Sequence, residues 1–150
     1  MSLEQEIKQT KPFKSNYEKT LVNIFYTNNW IHFKQNKYLK PFDISIQQYN
    51  VLRILNGQKD QPITINEIID RMIDKMSNAS RLVDKLFAKG YVSRDQKVGN
   101  RRACDVKITP KGTEFLGDVT KAIKGIENDM NSLTEAEFDE LNRLLDKLRN

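Results

Sequence analysis

The sequence predicts a mainly α-helical protein that carries one small β-hairpin. Apolar residues recur at the 3.6-residue spacing of helices over most of the 150 residues. Three of these segments begin with Ser or Thr followed three residues later by Glu or Gln, the pattern of a capping box at a helix start. Two alternating segments flank a basic turn between positions 91 and 108. Together these observations indicate a helical fold with a single hairpin inserted late in the chain.

The sequence of the N-terminal part indicates a poorly anchored arm followed by one long helix. Residues 1–14 are polar and contain Pro12, so we expect them to be poorly anchored. Residues 15–38 predict a helix with two apolar stripes, and Pro41 ends the region. One stripe carries Tyr17, Leu21, Ile24, Phe25 and Ile31, and the other carries Val22, Tyr26, Trp30 and Phe33. A second subunit is the simplest cover for the second stripe; the alternative is a helix wrapped by its own chain.

A second helix is predicted for residues 44–56. Ser45 is placed as its N-cap with Gln48 at the third helical position, and Gly57 closes it. The following Pro62-Ile63 dipeptide predicts a short edge strand, where a proline is tolerated.

The next two helices have the arrangement of a helix-turn-helix. Residues 64–73 predict a supporting helix that begins with a capping box formed by Thr64 and Glu67. Residues 74–76 form the turn, and Ser77 is predicted to cap the second helix.

This second helix has two contrasting faces. Its apolar stripe consists of Ala79, Leu82, Val83, Leu86 and Phe87. The opposite face carries Ser77, Arg81, Asp84, Lys85 and Ala88, with Asn78 and Ser80 on its flanks. Slim, hydrogen-bonding side chains are what a helix needs to enter a DNA major groove and contact base edges. The plainer interpretation is a solvated amphipathic helix without a partner.

The predicted hairpin has a basic tip. Residues 91–95 alternate, and Cys104, Val106 and Ile108 share one face of the returning strand. The turn between the strands carries Lys97, Arg101 and Arg102 around Gly99-Asn100. A basic hairpin directly after a recognition-like helix is typical of the wing of a winged helix, whose arginines enter a minor groove or contact phosphates.

Two acidic, amphipathic helices complete the chain. Thr109-Pro110 predicts the start of one that runs to about Asn131, and Thr134 with Glu137 predicts the start of the last. We expect one domain spanning residues 1–150. Within it, residues 44–111 form a winged helix-turn-helix, and residues 1–40 and 112–150 form N- and C-terminal dimerisation helices around it.

The net charge of +5 is concentrated on the helix-hairpin segment. Residues 75–111 hold 10 Lys/Arg against 3 Asp/Glu, a net +7, whereas residues 1–74 carry +2 and residues 112–150 carry −4. Such a local positive field attracts polyanions. An anionic membrane surface is disfavoured as a partner because the segment lacks the exposed apolar face of an interfacial helix.

Several other classes of protein are disfavoured. One histidine, one cysteine and no phosphate-binding glycine loop argue against an enzyme, and neither a metal nor a cofactor is expected. The single cysteine excludes an intrachain disulfide. No segment is typical of a signal peptide or a membrane span, so a cytoplasmic protein is expected.

The motifs of the helix-hairpin segment resemble those of the MarR family of winged-helix transcription regulators. They are SRLVDKL (80–86), KGYVSR (89–94), NRR (100–102) and VKITPKG (106–112), and the likeness runs roughly from Tyr17 to Leu148. The resemblance implies a triangular homodimer that binds a pseudopalindromic operator on double-stranded DNA, with recognition helices in successive major grooves. Family members typically repress nearby genes and release DNA in response to a small aromatic ligand or an oxidant. The alternative is a winged helix that binds nucleic acid non-specifically or binds a protein.

The resemblance also implies roles for individual residues. The helix residues Ser77, Asn78, Ser80, Arg81 and Lys85 would face bases and phosphates. In the wing, Arg101 would enter the minor groove, and Arg94 and Arg102 would support the wing or contact phosphate. Lys97 is added from its charge and position alone. Asn100 replaces the family's Asp, which can hold an arginine by a charged pair, and Arg81 is expected to neutralise Asp84.

An effector pocket is predicted between the dimerisation helices and the winged helix. The first long helix would supply aromatic and polar residues to it: Tyr26, Trp30, His32, Phe33 and Tyr38. Aromatic residues at helical spacing also fit an ordinary core. Cys104, on the inward face of the second hairpin strand, is interpreted as a small core residue rather than an oxidant sensor, which needs an exposed thiolate.

Overall fold

A computed structural model describes residues 1–59, 61–96 and 104–150 of the chain. The helices in these ranges are α1 (Leu3–Glu6), α2 (Asn16–Leu39), α3 (Ile46–Asn56), α4 (Ile65–Arg71), α5 (Ala79–Ala88), α6 (Pro110–Ile123), α7 (Gly125–Asp129) and α8 (Glu135–Arg149). A 3-10 turn at Lys40–Phe42 follows α2. The strands are β1 (Ile63–Thr64), β2 (Val92–Gln96) and β3 (Cys104–Ile108). The chain is thus mainly helical with one small sheet, as predicted.

Four of the predicted helix starts are confirmed. Ser45 and Thr64 each accept a hydrogen bond from the backbone N–H three residues ahead. The side-chain oxygen of the glutamine or glutamate there accepts one from the backbone N–H of the cap residue. Thr134 forms the same reciprocal box with Glu137 at the start of α8. Thr109 caps α6 with proline at its first position. These side chains accept hydrogen bonds from backbone N–H groups that have no partner within the first turn of a helix.

The sheet places β3 between the other two strands. β1 and β2 both pair with β3 in antiparallel fashion, in the order β1-β3-β2. Ile63 lies opposite Val106, and Val92 lies opposite Ile108. The short strand predicted at Pro62-Ile63 is therefore present, shifted by one residue.

The core lies beneath this sheet, between it and helices α3 to α6. Val51 and Leu52 of α3, Val83 and Leu86 of α5, and Val106 of β3 are fully buried. Because α3 packs against α5, α6 and β3, it is the central support of the lobe that presents α5.

The N-terminal arm differs from the prediction. Residues 3–6 form a short helix, Leu3 is buried, and Glu4 pairs with Lys19 of α2 at 2.6 Å. The expectation of a loose arm was wrong at this point because Leu3 supplies an apolar anchor. The hydrogen bond from Lys19 also lowers the pKa of the Glu4 carboxyl, which favours the charged pair.

Two helix ends also differ from the prediction. α4 ends at Arg71 rather than at residue 73 because Met72 adopts an extended backbone, and Ile73 is 87% exposed. The helix expected to reach Asn131 breaks after Ile123 and resumes as α7. At this break a Cβ on Gly125 would lie 2.7 Å from the Tyr38 ring, so only glycine lets α2 and α7 approach this closely.

Among the described residues, no helix combines the length and apolar character needed to cross a membrane.

Candidate nucleic-acid interface

The N-terminus of α5 is capped by Asn78, not by Ser77 as predicted. The Asn78 Oδ1 atom accepts a hydrogen bond from the Arg81 backbone N–H at 3.0 Å. Ser77 instead donates its hydroxyl hydrogen to Asp74 Oδ2 at 2.7 Å. An Asn and a Ser at adjacent positions are almost equally good caps, so sequence spacing alone could not separate them.

The turn between α4 and α5 is fastened by side chains on both sides. Asp74 accepts a second hydrogen bond, from the Met76 backbone N–H, at 3.0 Å. Asn50 of α3 accepts one from the Ile73 backbone N–H at 3.2 Å. Lys75 donates to the backbone carbonyls of Ile69 and Asp70 at the end of α4. The turn therefore holds α5 at a fixed angle to α4.

Hydrogen bonding explains the charge state of Asp74. The Ser77 hydroxyl, then the Met76 N–H, lower the pKa of the Asp74 carboxyl below its ordinary value. Neither Asp74 nor Asn50 was singled out from the sequence. The Asp-x-x-Ser spacing of residues 74–77 is a usable signal for the first, whereas the Asn50 contact is between distant residues and has none.

The two faces of α5 are arranged largely as predicted. Ala79, Val83 and Leu86 are buried, and Leu82 is partly buried against the core. The exposed residues are Asn78, Ser80, Arg81, Asp84, Lys85 and Ala88, and Ser77 is half-buried. Phe87 is the exception, since it is 51% exposed rather than part of the buried stripe. A narrow exposed face with two cations and two hydroxyl or amide groups is thus available on one side of α5.

Asp84 is paired with Arg94 rather than with Arg81. The Arg94 Nη1 atom donates to Asp84 Oδ1, and the Arg94 guanidinium lies 6.0 Å from the centre of the Phe87 ring. The prediction named Arg81 because it lies one helical turn away, but the wing strand supplies the nearer cation. Hydrogen bonding to the Cys104 sulfur, and after it the charge of Asp84, raise the pKa of Arg94.

The C-terminal end of α5 is anchored to the surrounding elements. Gly90 adopts φ +75°, and the Gly90 and Tyr91 backbone N–H groups return to the Phe87 and Leu86 carbonyls. This is a Schellman ending, for which glycine is favoured. Lys89 pairs with Asp43 at 2.8 Å, which ties α5 to the segment before α3.

The tip of the wing lies outside the described residues. Lys97, Asn100, Arg101 and Arg102, all predicted to contact DNA, belong to it. Cys104, at the start of β3, is buried with only 6% exposure, in agreement with its interpretation as a core residue.

A family model described as MarR family matches residues 44–104, from the segment before α3 to the first residue of β3. This span contains both helices of the helix-turn-helix, the Asp84–Arg94 pair and β2. Residues 44–104 of this chain therefore carry the MarR family pattern.

Among curated relatives, this chain is similar to the transcriptional repressor MprA of Escherichia coli (strain K12). The two are 28% identical over 115 residues, which cover 76% of this chain and 65% of the repressor. The chain therefore spans somewhat less than two thirds of the length of that relative.

Two solved structures show the same fold over almost the whole chain. A MarR-like transcription regulator from Bacillus cereus ATCC 10987 has a TM-score of 0.78 at 23% identity and covers 89% of this chain and 96% of its own. A cysteine-to-serine mutant of E. coli MarR complexed with operator DNA has a TM-score of 0.76 at 24% identity and covers 99% of each. The mainly helical fold with its small sheet is thus that of MarR winged-helix structures.

The residues predicted to form an effector pocket are not brought into one cleft within this subunit. Tyr26 and Trp30 line an open groove of about 530 Å³ between α1 and α2. Phe33 is 72% exposed on α2. Tyr38 donates toward Gly125 O and Asp129 Oδ2 at 3.1 and 3.2 Å, so it fastens α2 to α7. His32 is half-buried.

Large apolar side chains are exposed on α2 and around α8. On α2 they are Tyr17, Leu21, Phe25 and Phe33, and in the C-terminal part they are Leu133, Leu141, Leu144 and Leu148. The exposed residues of α2 come from both predicted stripes, so the subunit itself covers neither stripe completely.

Proposed function

We propose that this chain is a sequence-specific DNA-binding transcription regulator that acts as a homodimer on a pseudopalindromic operator. The observation that carries the proposal is the exposed face of α5, where Ser80, Arg81 and Lys85 project from a helix fixed at both ends. A rigid helix with a slim polar face and local positive charge suits the major groove. The relative named as a repressor and the fold shared with an operator complex support the same function.

The contacts divide into two kinds. We assign base contacts to Asn78, Ser80 and Arg81, since they lie in the first turn and at its flank, where recognition helices approach base edges. Lys85 and Ser77 are assigned to phosphates, which position the protein but carry no sequence information. Wing-tip residues complete the site, with Arg101 in the minor groove and Lys97, Asn100 and Arg102 supporting it or contacting phosphate.

The homodimer is proposed from the exposed apolar surfaces of α2 and α8. Contiguous apolar surface rimmed by polar residues is typical of an interface. Leu144 and Leu148, 48% and 55% exposed on α8, would be covered by the second subunit together with Phe25 of α2. Two recognition helices would then face two half-sites.

We further propose that a small aromatic effector regulates DNA binding. Tyr26 and Trp30 offer stacking surface at an open groove, and a second subunit would close such a groove further. His32, Phe33 and Tyr38 remain proposed contributors from the same helix. Effector binding would favour a dimer whose recognition helices no longer match the spacing of the operator, and the protein would release the DNA. Without the effector, the protein would act as a repressor. We propose that it does so in the cytoplasm.

Selection from random DNA tests the central proposal. The full chain is incubated with a pool of random duplexes at physiological salt, and the bound fraction is sequenced. We expect an enriched pseudopalindrome with half-sites about one helical turn apart. Tight binding without enrichment would indicate non-specific nucleic-acid binding, and the absence of binding would contradict a DNA-binding function.

Substitutions in α5 separate specific from non-specific binding. Ser80→Ala is chosen because Ser80 is exposed and, unlike Asn78, is not the cap of α5. We expect it to relax sequence preference and leave the salt dependence of binding nearly unchanged. Lys85→Gln is the matched control, which should weaken binding to all sequences and lower the salt slope by about 0.9 per lost phosphate contact. The reverse pattern would contradict the assigned roles.

A further inference from the structure

Arg94 lies on the core-facing side of the wing. In the antiparallel register it is directly opposite Val106, and it is two residues beyond Val92 on the same strand. Val92 and Val106 are both buried. Because directly opposed residues, and residues two apart, share one face of a sheet, the Arg94 side chain extends inward. Ser93 and Asp95 occupy the outward face.

The inward position brings Arg94 to the recognition helix. Its guanidinium donates to the Asp84 carboxylate and lies 6.0 Å from the Phe87 ring centre. Its side chain is 32% exposed, against 56% for that of Asp84. We call Asp84, Phe87 and Arg94 the Arg94 cluster. It is a lateral connection between α5 and β2, additional to the backbone connection through Gly90.

Asp84 is the reason such a connection matters for DNA binding. It is the only acidic residue of α5, and it lies on the exposed face between Arg81 and Lys85. An unpaired carboxylate there would repel the phosphates that the two cations attract. A guanidinium already hydrogen-bonded to that carboxylate has fewer donors and less net charge to offer a phosphate.

We propose that Arg94 is a positioning residue and not a phosphate contact: it neutralises Asp84 and fixes the wing to the recognition helix. This inference rests on the proposed DNA-binding function and assigns one residue within it. The proposal also accounts for the position of Phe87 outside the core. Its ring lies at the surface, where it contacts the Arg94 guanidinium.

A double substitution distinguishes the two roles of Arg94. Arg94→Gln leaves Asp84 unpaired, and we expect operator affinity to fall about tenfold because a bare carboxylate then faces the DNA. Adding Asp84→Asn removes that carboxylate while an amide pair retains a hydrogen bond. In the double variant we expect operator affinity to return to within about threefold of the original, with a salt slope unchanged from that of the unsubstituted protein.

A phosphate contact by Arg94 predicts the opposite. The double variant would remain weak, and its salt slope would fall by about 0.9, the loss of one phosphate contact. Lys85→Gln provides the positive control for such a loss of slope, since Lys85 is exposed on α5 and is assigned to a phosphate. Thermal unfolding of each variant checks that the fold is retained, because a merely structural defect would not be rescued in affinity by removing Asp84.

The measurement uses full-length protein and the duplex enriched from the random pool. If the unsubstituted protein binds an enriched duplex and the double variant is not rescued, the positioning role is contradicted while the proposed function stands. If the unsubstituted protein binds no duplex, the proposed function fails and the inference falls with it.

Discussion

At the scale of single residues, hydrogen bonds made by short polar side chains decide where α5 begins and how it is held. Asn78 both caps the helix and is one of the proposed base contacts. A loss of DNA binding on substituting Asn78 would therefore mix a stability effect, about 1 kcal/mol for a lost cap, with any loss of recognition. Ser80 and Arg81 are the cleaner positions at which to test recognition.

Gly112 is a position where the backbone of two elements meets. A Cβ there would lie 2.0 Å from the Tyr91 carbonyl oxygen and 2.9 Å from an Ile108 side-chain carbon. We expect Gly112→Ala to lower the free energy of unfolding by about 3 kcal/mol or more, because α6 must move away from β2 and β3. Urea denaturation followed by circular dichroism measures this loss.

Gly117 in the same helix is the matched control. Nothing lies within 4 Å of a Cβ built on it. Gly117→Ala should leave stability unchanged or raise it by up to about 1 kcal/mol through helix propensity. Equal effects of the two substitutions would contradict the close approach at Gly112.

Single residues were predicted from the sequence where the signal is local. Cys104 is buried, as its strand position indicated. Phe87 was placed on the wrong face of α5, because helical spacing contains no information about an arginine that approaches from β2. The partner of Asp84 was misassigned for the same reason. Strand alternation from the buried Val92 would have placed Arg94 inward, but it cannot specify which helix residue Arg94 meets.

At the scale of elements, helix starts with a capping box and the end of α3 before Gly57 were predictable, whereas the ends of α4 and α6 were not. The boxes at Ser45, Thr64 and Thr134 lie within four residues of sequence, so the pattern that predicts them also makes the contacts. The break after Ile123 depends on Tyr38 fitting against Gly125, a contact between residues 87 apart in sequence. The spacing of apolar residues along one helix cannot predict a contact between residues so far apart in sequence.

The turn before α5 has a predictable response to pH. The pKa of Asp74 is lowered mainly by the Ser77 hydroxyl, so its carboxylate stabilises the folded state at neutral pH. That contribution is complete above the ordinary pKa of an aspartate, about 3.9, and is lost as the pH falls through the lower folded value. We expect Asp74→Asn to lose less stability than the unsubstituted protein between pH 5 and pH 3, as pH-dependent urea denaturation would measure.

The comparison isolates one group, because the other carboxylates are shared by both proteins and cancel in the difference. Parallel stability curves for the two proteins over that range would show that Asp74 is not tied to Ser77 and Met76 in solution.

At the scale of the whole molecule, the subunit has more apolar surface on its long helices than its own chain covers. We expect Leu144→Glu to weaken self-association at least about thirtyfold, because it places a charge in the proposed interface. Leu144 is 48% exposed within the subunit, so the fold itself should persist. Sedimentation equilibrium at micromolar concentration measures the change.

Asn142→Glu adds the same charge to an exposed polar position of α8 and is the matched control. It should leave association nearly unchanged. A monomeric unsubstituted protein at that concentration would contradict the dimer, and an unaffected Leu144→Glu variant would remove α8 from the interface.

The whole-molecule arrangement was largely predictable because its signals are redundant. Capping patterns, helical periodicity and an excess of positive charge in residues 75–111 all indicated a basic helix-hairpin segment between flanking helices. The relative placement of those flanking helices was not predictable, since it depends on the break before Gly125 and on which apolar stripes remain exposed.

The strand order carries a consequence for synthesis of the chain. β3 is the middle strand of the sheet, yet it is translated last, with about 40 residues between it and its partner β1. At translation rates of 5–20 residues per second, β1 leaves the ribosome roughly 2–8 s before β3. During that interval Ile63 has no strand to pair with, and its apolar side chain stays in water. The helix-turn-helix of this protein is therefore made early and completed late, and nascent chains that stop before residue 104 are the ones we expect to aggregate or be degraded.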